Sequence, residues 1–172
     1  MLRLIIMRHA KAVAEGDGPD KERALTERGL KAAFAAGQKL AKNQLIPGQI
    51  LCSPATRTRQ TLAQVMAGMG TTPPVILRES LYAFGDGSPY LEAIAKEGRE
   101  IATLMIIGHN PSVHSLALRL SGHGSDPQAL SEMRGKYPTA AMAVLAFDLP
   151  DWSMIGVGGG RLESFLTPKG GE

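Results

Sequence analysis

The sequence predicts an α/β fold in which a mostly parallel β-sheet carries helices on both faces, so that the chain forms three layers. The first observation is a set of short apolar runs, of which Leu4–Met7 and Thr103–Ile107 are the clearest. Strands that are apolar throughout are typical of parallel sheets covered on both faces. The second observation is that such runs alternate with helical segments, which indicates right-handed β–α–β connections.

Helix starts can be placed from capping patterns. Thr26 is the predicted N-cap of a helix whose apolar residues recur at helical spacing as far as Ala41. Four dipeptides of a polar residue and proline predict the starts of further helices: Ser53-Pro54, Ser88-Pro89, Asn110-Pro111 and Asp126-Pro127. In Ser53-Pro54 and Asn110-Pro111, the polar residue is the predicted N-cap and the proline the first helical residue.

The remaining apolar runs predict four more strands, the last of them at an edge of the sheet: Gln49–Cys52, Val75–Leu77, Ala141–Phe147 and Gly160–Leu166. The chain has no internal repeat and no linker-like segment. We therefore expect a single domain over residues 1–172, with a frayed C-terminus at 168–172.

Composition excludes several classes of protein. The 172 residues are 44% hydrophobic and 20% charged, which fits one globular domain. The net charge is only +3 and the basic residues are scattered, so we expect no nucleic-acid partner. No apolar stretch is long enough to span a bilayer, so no membrane partner is expected either. A single cysteine fits a reducing compartment, and the predicted location is the cytoplasm.

Three predicted strand-to-helix junctions carry side chains that bind phosphate well. Arg8 and His9 follow the first strand, Arg57 follows the second, and His109 follows Thr103–Ile107. Ligands of open parallel sheets bind beyond the carboxyl ends of the strands, where these residues should meet. Arginine forks and helix N-termini both bind phosphoryl oxygens, and a neutral imidazole among them can attack phosphorus.

The motifs around these residues resemble the histidine phosphatase superfamily, also called the phosphoglycerate mutase-like family. Arg8-His9 matches its Arg-His motif, Ser53–Thr61 matches its second arginine segment, and Gly108–Pro111 matches its second histidine segment. Two further segments, Asp20–Gly29 and Tyr137–Ala141, are similar to the compact SixA-type phosphohistidine phosphatases. The resemblance runs from the first strand to about residue 147.

This resemblance implies a phosphoglycerate mutase-like fold and a role for each matched residue. His9 would be the nucleophile, while Arg8, Arg57 and His109 would hold the transferring phosphoryl group. Many members of the family protonate the leaving oxygen with a glutamate after the third strand, whereas SixA-type enzymes lack a clear general acid. Glu79 lies in the corresponding region and is either a candidate acid or an ordinary loop carboxylate.

Several other residues near these motifs have more than one possible role. Ala10 stands where the family most often has glycine. A turn with positive φ at this position would be strained, but alanine is small enough that we expect it to be tolerated. Arg59 could replace Arg57, although the motif favours Arg57. Cys52 lies one residue too close to Arg57 for a cysteine-phosphatase loop and is predicted to be a buried strand residue. His114 and His123 are predicted to have packing or solvated roles.

We therefore predict a phosphohydrolase that works through a covalent phosphohistidine intermediate and releases inorganic phosphate. The histidines lack metal-ligand spacing, so we expect a metal-independent enzyme without a cofactor. The leading substrate is phosphohistidine on a protein. The alternatives are a phosphatase or mutase of small phosphate monoesters and, from another class, a catalytically weak phosphate-binding or interaction module.

Overall fold

The computed structural model describes residues 1–168, in which one six-stranded sheet lies between two layers of helices. The strands are β1 (Leu2–Arg8), β2 (Gln49–Cys52), β3 (Val75–Leu77), β4 (Thr103–Gly108), β5 (Met142–Phe147) and β6 (Arg161–Leu166). The helices are α1 (Glu27–Lys42), α2 (Thr56–Met69), α3 (Ser88–Glu97), α4 (Ser112–Leu120) and α5 (Pro127–Gly135). The predicted three-layer α/β fold is confirmed.

The strands lie in the order β3-β2-β4-β1-β5-β6. β4 pairs in parallel with both β1 and β2, and β2 pairs in parallel with β3. β5 is antiparallel to its neighbours β1 and β6. The sheet is therefore mixed but mostly parallel, as predicted, and the carboxyl ends of β1, β2 and β4 lie side by side at one edge.

Two hydrophobic cores, one on each face of the sheet, account for the continuous apolar runs. Leu4 and Ile6 pack with buried residues of α3, α4 and α5. Ile5 and Met7 point the other way and pack with α1 and α2. Since alternate residues of a strand face opposite sides, a central strand buried on both sides must be apolar at every position.

The N-cap prediction for α1 is confirmed, because the Thr26 hydroxyl accepts a hydrogen bond from the Gly29 N–H at 3.0 Å. Helices also begin where Ser88-Pro89 and Asp126-Pro127 predict them. The Asp126 carboxylate accepts from the Ala129 N–H at 2.8 Å and so caps α5.

The N-cap predictions at Ser53 and Asn110 are wrong. α2 begins only at Thr56 and α4 only at Ser112, two residues and one residue later than the predicted starts at Pro54 and Pro111. The Ser53 hydroxyl lies 2.8 Å from Nε2 of His109, and the Asn110 side-chain amide donates to the Tyr137 carbonyl at 3.0 Å. Each polar side chain thus contacts a distant part of the chain, and neither is the N-cap of the helix that follows it.

Two further predictions concern the C-terminus and the absence of a membrane-spanning segment. Residues 169–172 lie outside the described residues, so the fraying predicted there stays a prediction. Within residues 1–168, no helix combines the length and apolarity needed to cross a lipid bilayer.

Candidate active site

Parallel pairing at the edge of the sheet brings the predicted residues together. Arg8 is the register partner of Gly108, and the His9 N–H donates to the Gly108 carbonyl at 3.0 Å. His109 therefore follows its strand at the same level as His9, and the centroids of the two imidazole rings lie 5.4 Å apart. Arg57 reaches the same edge from the first turn of α2.

The glycine before His109 is required by a close approach. A Cβ atom at Gly108 would lie 2.1 Å from the hydroxyl oxygen of Tyr90. That hydroxyl accepts a hydrogen bond from the His109 N–H at 3.0 Å and donates to the Leu81 carbonyl at 2.6 Å. The Gly-His dipeptide thus allows Tyr90 to fix the backbone at His109.

All four predicted phosphate-binding residues, Arg8, His9, Arg57 and His109, line one cavity of about 350 Å³. Two further basic side chains, Lys11 and Arg23, also line it, as do the carboxylates of Glu15 and Asp20. A cavity of this size and charge suits a phosphoryl group together with a small part of its leaving group.

The hydrogen bonding of His9 determines its tautomer. Nδ1 lies 2.7 Å from the Ala10 carbonyl oxygen, which can only accept, so Nδ1 carries the proton and Nε2 has the free lone pair. Burial lowers the pKa of His9 to about 4, and the charges of Arg57 and Arg8 act in the same direction. At neutral pH His9 is therefore an uncharged imidazole with a nucleophilic Nε2.

His109 is a second buried imidazole at the site. Its Nε2 lies 2.8 Å from the Ser53 hydroxyl, which also accepts the Ala55 N–H at 3.4 Å. Its Nδ1 has no hydrogen-bond partner among the described residues. Burial lowers the pKa of His109 to about 3, and His9 and Arg57 act in the same direction. At neutral pH His109 is therefore an uncharged imidazole, whose ring carries one N–H donor.

Asp20 orients Arg57. The sequence indicates it only as the first residue of the segment Asp20–Gly29. The Arg57 guanidinium donates to the Asp20 carbonyl at 2.9 Å and to its carboxylate at 3.1 Å. The carboxylate also accepts from the Tyr82 hydroxyl at 2.5 Å and from Arg23 at 2.9 Å. These bonds, with Tyr82 the strongest influence, hold the pKa of Asp20 well below its usual range. Asp20 thus stays ionised and cannot serve as an acid.

The choice between the two arginines of the second motif agrees with this geometry. The Arg57 side chain is only 2% exposed and lines the cavity. Arg59 is exposed on another side of α2 and lies outside the cavity. Thr61, the last residue of the motif, links α2 to the loop after β1. Its hydroxyl accepts the Ala10 N–H at 3.0 Å and donates to the Arg57 carbonyl at 2.7 Å.

Comparison with known proteins identifies the family. The sequence model described as "Histidine phosphatase superfamily (branch 1)" matches residues 4–87. The structure of the putative phosphohistidine phosphatase SixA from Nakamurella multipartitia has a TM-score of 0.84 to this chain. The two sequences are 30% identical, and the alignment covers 98% of this chain and 96% of the SixA chain. The chain belongs to branch 1 of the histidine phosphatase superfamily.

Two other relatives of this histidine phosphatase superfamily member also align over nearly its whole length. An uncharacterized protein of Mycobacterium tuberculosis strain H37Rv is 34% identical over 164 residues, which are 95% of this chain and 100% of that protein. The structure of the protein histidine phosphatase SixA complexed with tungstate has a TM-score of 0.75 and 25% identity, with 97% of each chain covered.

Glu79, the candidate acid, does not lie in the candidate active site. Its side chain is 71% exposed, forms an ion pair with Lys21, and is absent from the cavity wall. The third strand ends at Leu77, and the 3₁₀ helix Glu79–Tyr82 that follows presents Tyr82 to Asp20 and leaves Glu79 in solvent. The assignment of Glu79 as a catalytic acid therefore finds no geometric support.

Ala10 is tolerated without backbone strain, as expected. Ala10 is fully buried and is not among the residues with positive φ. Because its N–H is held by Thr61, the loop after β1 turns without a left-handed residue at this position. A glycine is therefore not needed here.

The other possible nucleophiles and ligands lie outside the cavity. Cys52 is buried in β2, as predicted, and burial raises the pKa of its thiol to about 12. His114 packs within hydrogen-bonding distance of the Met133 carbonyl, at 2.6 Å, and His123 is exposed. Within residues 1–168, no three histidine, cysteine, aspartate or glutamate side chains are grouped so that they could hold a metal ion.

The lowered pKa of His9 predicts an unusual pH dependence. His9 loses its nucleophilic lone pair only when the pH falls through about 4, so kcat/KM should stay level from pH 8 to about pH 5 and decline below that. The measurement is a pH profile of kcat/KM with phenyl phosphate, corrected for the second ionisation of the substrate near pH ~6. A corrected profile that declines near pH ~6.5, as for an ordinary histidine, would contradict the assigned environment.

Proposed function

We propose that this histidine phosphatase superfamily member hydrolyses phosphohistidine presented on a protein, and that His9 carries the phosphoryl group in transit. The observation that carries the proposal is the state of His9. It is a neutral imidazole, with Nδ1 bound to a carbonyl, in a cavity lined by Arg8, Arg57 and His109. Nucleophile and oxyanion donors are thus preorganised around one site.

The reaction has two displacements at phosphorus. In the first, Nε2 of His9 attacks in line and forms a P–N bond, while the P–N bond of the substrate breaks. The substrate ring, protonated on its second nitrogen, takes the electron pair of the broken bond and leaves as a neutral imidazole. Arg8, Arg57 and His109 stabilise the equatorial oxygens. In the second, water attacks phospho-His9, the P–N bond breaks with its electron pair returning to Nε2, and the proton lost by the water passes to solvent. Inorganic phosphate is released, and His9 is again a neutral imidazole.

The leaving group favours phosphohistidine as substrate. A phosphate ester expels an alkoxide, which must be protonated. Phosphohistidine whose second ring nitrogen is protonated expels a neutral imidazole, and the conjugate acid of that imidazole has a pKa of ~6.5. Asp20 is held ionised and Glu79 lies outside the cavity, so neither supplies the proton that an ester needs. A site in which neither of these carboxylates acts as an acid suits phosphohistidine.

Two similar structures support the same substrate class. One is the putative phosphohistidine phosphatase SixA from Nakamurella multipartitia, and the other is the protein histidine phosphatase SixA complexed with tungstate. Tungstate is a tetrahedral oxyanion like phosphate. Its presence in a relative with 25% identity supports a phosphoryl site in this chain as well.

One residue favours a second candidate function, the hydrolysis of small phosphate monoesters. Glu15 lines the cavity and lies on the exposed loop between β1 and Asp20. A glutamate in this place could protonate a leaving alkoxide and so replace the acid that Glu79 does not supply.

Leaving-group dependence distinguishes the two candidates. We expect phosphohistidine and aryl phosphates to be hydrolysed far faster than alkyl phosphates, because only the alkyl esters require an acid. The measurement is kcat/KM for a series of phosphate esters and a phosphohistidine peptide, with wild-type protein, Glu15→Gln and Glu79→Gln. Neither variant should change the phosphohistidine rate more than about twofold.

Glu79→Gln is the matched control, since it makes the same change outside the cavity. Alkyl esters that turn over as fast as phosphohistidine, and whose hydrolysis collapses in Glu15→Gln but not in Glu79→Gln, would replace the proposal with a small-molecule phosphatase that uses Glu15 as its acid.

A further inference from the structure

Phe84 is an aromatic side chain at the cavity that the phosphoryl chemistry does not use. It lines the cavity beside His109, yet 55% of its surface is exposed. Its ring centroid lies 5.4 Å from that of His109 and 5.5 Å from that of Tyr82. These two neighbours cover one part of the ring, and the rest of its apolar surface faces open space at the site.

The loop that carries Phe84 is held on both sides by one buried hydroxyl. The Ser112 hydroxyl donates to the Ala83 carbonyl at 2.8 Å and accepts the Gly85 N–H at 3.0 Å. Ser112 is 1% exposed and is the first residue of α4, three positions after His109. The backbone on each side of Phe84 is therefore tied to the same helix start that places His109.

A lone exposed phenylalanine needs no explanation on a protein surface. Phe84 differs because its position is fixed relative to a phosphoryl-binding residue, which keeps an apolar ring beside a cavity otherwise rich in charge. Preorganisation of this kind reduces the entropy cost of binding a partner surface. The partner that suits it is a flat, weakly polar group attached to the phosphoryl group.

We propose that Phe84 is a platform for the planar ring of the leaving group and thereby sets a preference for phosphohistidine and aryl phosphates over non-planar esters. The inference rests on the proposed function and deepens it. In-line displacement places the leaving group on the far side of phosphorus from His9. Phe84 approaches the cavity beside His109 and makes no ring contact with His9, as a residue on the leaving-group side should.

Binding of non-hydrolysable ligands tests the platform without chemistry. The ligands are phenylphosphonate and cyclohexylphosphonate, which carry rings of equal size, one planar and one puckered. We expect calorimetry to show that Phe84→Leu weakens phenylphosphonate binding by about twofold to tenfold, the range of one aromatic pair. Cyclohexylphosphonate binding should change less than twofold. Leucine keeps an apolar contact to His109, so the cavity wall is preserved.

Phe34→Leu is the matched control, because Phe34 is an exposed phenylalanine of α1 outside the cavity. It should leave the affinity for both phosphonates unchanged. In parallel, Phe84→Leu should lower kcat/KM for phenyl phosphate and a phosphohistidine peptide by the same twofold to tenfold, mainly through KM.

The outcomes separate this inference from the proposed function. Equal weakening of both phosphonates by Phe84→Leu, or no weakening of either, overturns the platform whatever the kinetics show. A selective loss of phenylphosphonate binding in a protein that hydrolyses neither phenyl phosphate nor phosphohistidine would support the platform as a ring-binding site and overturn the phosphatase proposal.

Discussion

Replacing His9 with alanine should abolish turnover, with a loss on the order of 10⁴-fold or more, because the residue that forms the covalent bond to phosphorus is removed. The fold should persist, since the His9 side chain donates only to the carbonyl of its neighbour Ala10 and lies at the end of a strand. The measurements are kcat/KM, thermal unfolding, and mass spectrometry of the wild-type protein after a quenched turnover, which should locate the phosphoryl group on His9.

His114→Ala is the control for this experiment. His114 is a half-buried histidine whose ring lies against the Met133 carbonyl, away from the cavity, so its loss should leave turnover intact. A phosphoryl label on His109 or on Cys52 would reverse the assignment of the nucleophile.

The position of the site was predictable because it depends on the strands. Leu4–Met7 and Leu104–Ile107 are apolar throughout, and the structure buries both faces of these central strands. Their parallel pairing then places the residues that follow, Arg8 with His9 and Gly108 with His109, at one level. Local sequence determined the strands, and the pairing of neighbours in the sheet determined the convergence.

The helix starts at Ser53 and Asn110 were mispredicted for a tertiary reason. A capping pattern records only what a side chain can do for its own helix. Here Ser53 contacts His109, 56 residues away, and Asn110 donates to Tyr137, 27 residues away. Interactions over that range leave no periodic signal in the sequence. Asn110 lines the cavity and Ser53 contacts His109 in its wall, so both departures occur where local preference gives way to the arrangement of the site.

The roles of Asp20 and Phe84 were missed for a similar reason. The glycines, proline and charged residues around Asp20 predict a loop and give no role to its side chain. Only the folded chain places Asp20 against Arg57 and Tyr82. Glu79 is a candidate acid in the sequence because it follows the third strand, but strand order does not determine which way a side chain points. One turn of 3₁₀ helix directs Tyr82 inward and Glu79 into solvent.

Arg57→Lys should lower kcat/KM by about tenfold to a thousandfold, the scale of losing one preorganised donor. Lysine keeps the charge, but it cannot hold the Asp20 carbonyl and carboxylate while also gripping phosphoryl oxygens in a planar fork. The measurements are kcat/KM with phenyl phosphate and inhibition by inorganic phosphate, which should weaken in parallel. Arg59→Lys is the matched control, because Arg59 is exposed on the same helix outside the cavity and should tolerate the change. Near-wild-type activity of Arg57→Lys, with a loss in Arg59→Lys, would assign the phosphoryl contact to Arg59 instead.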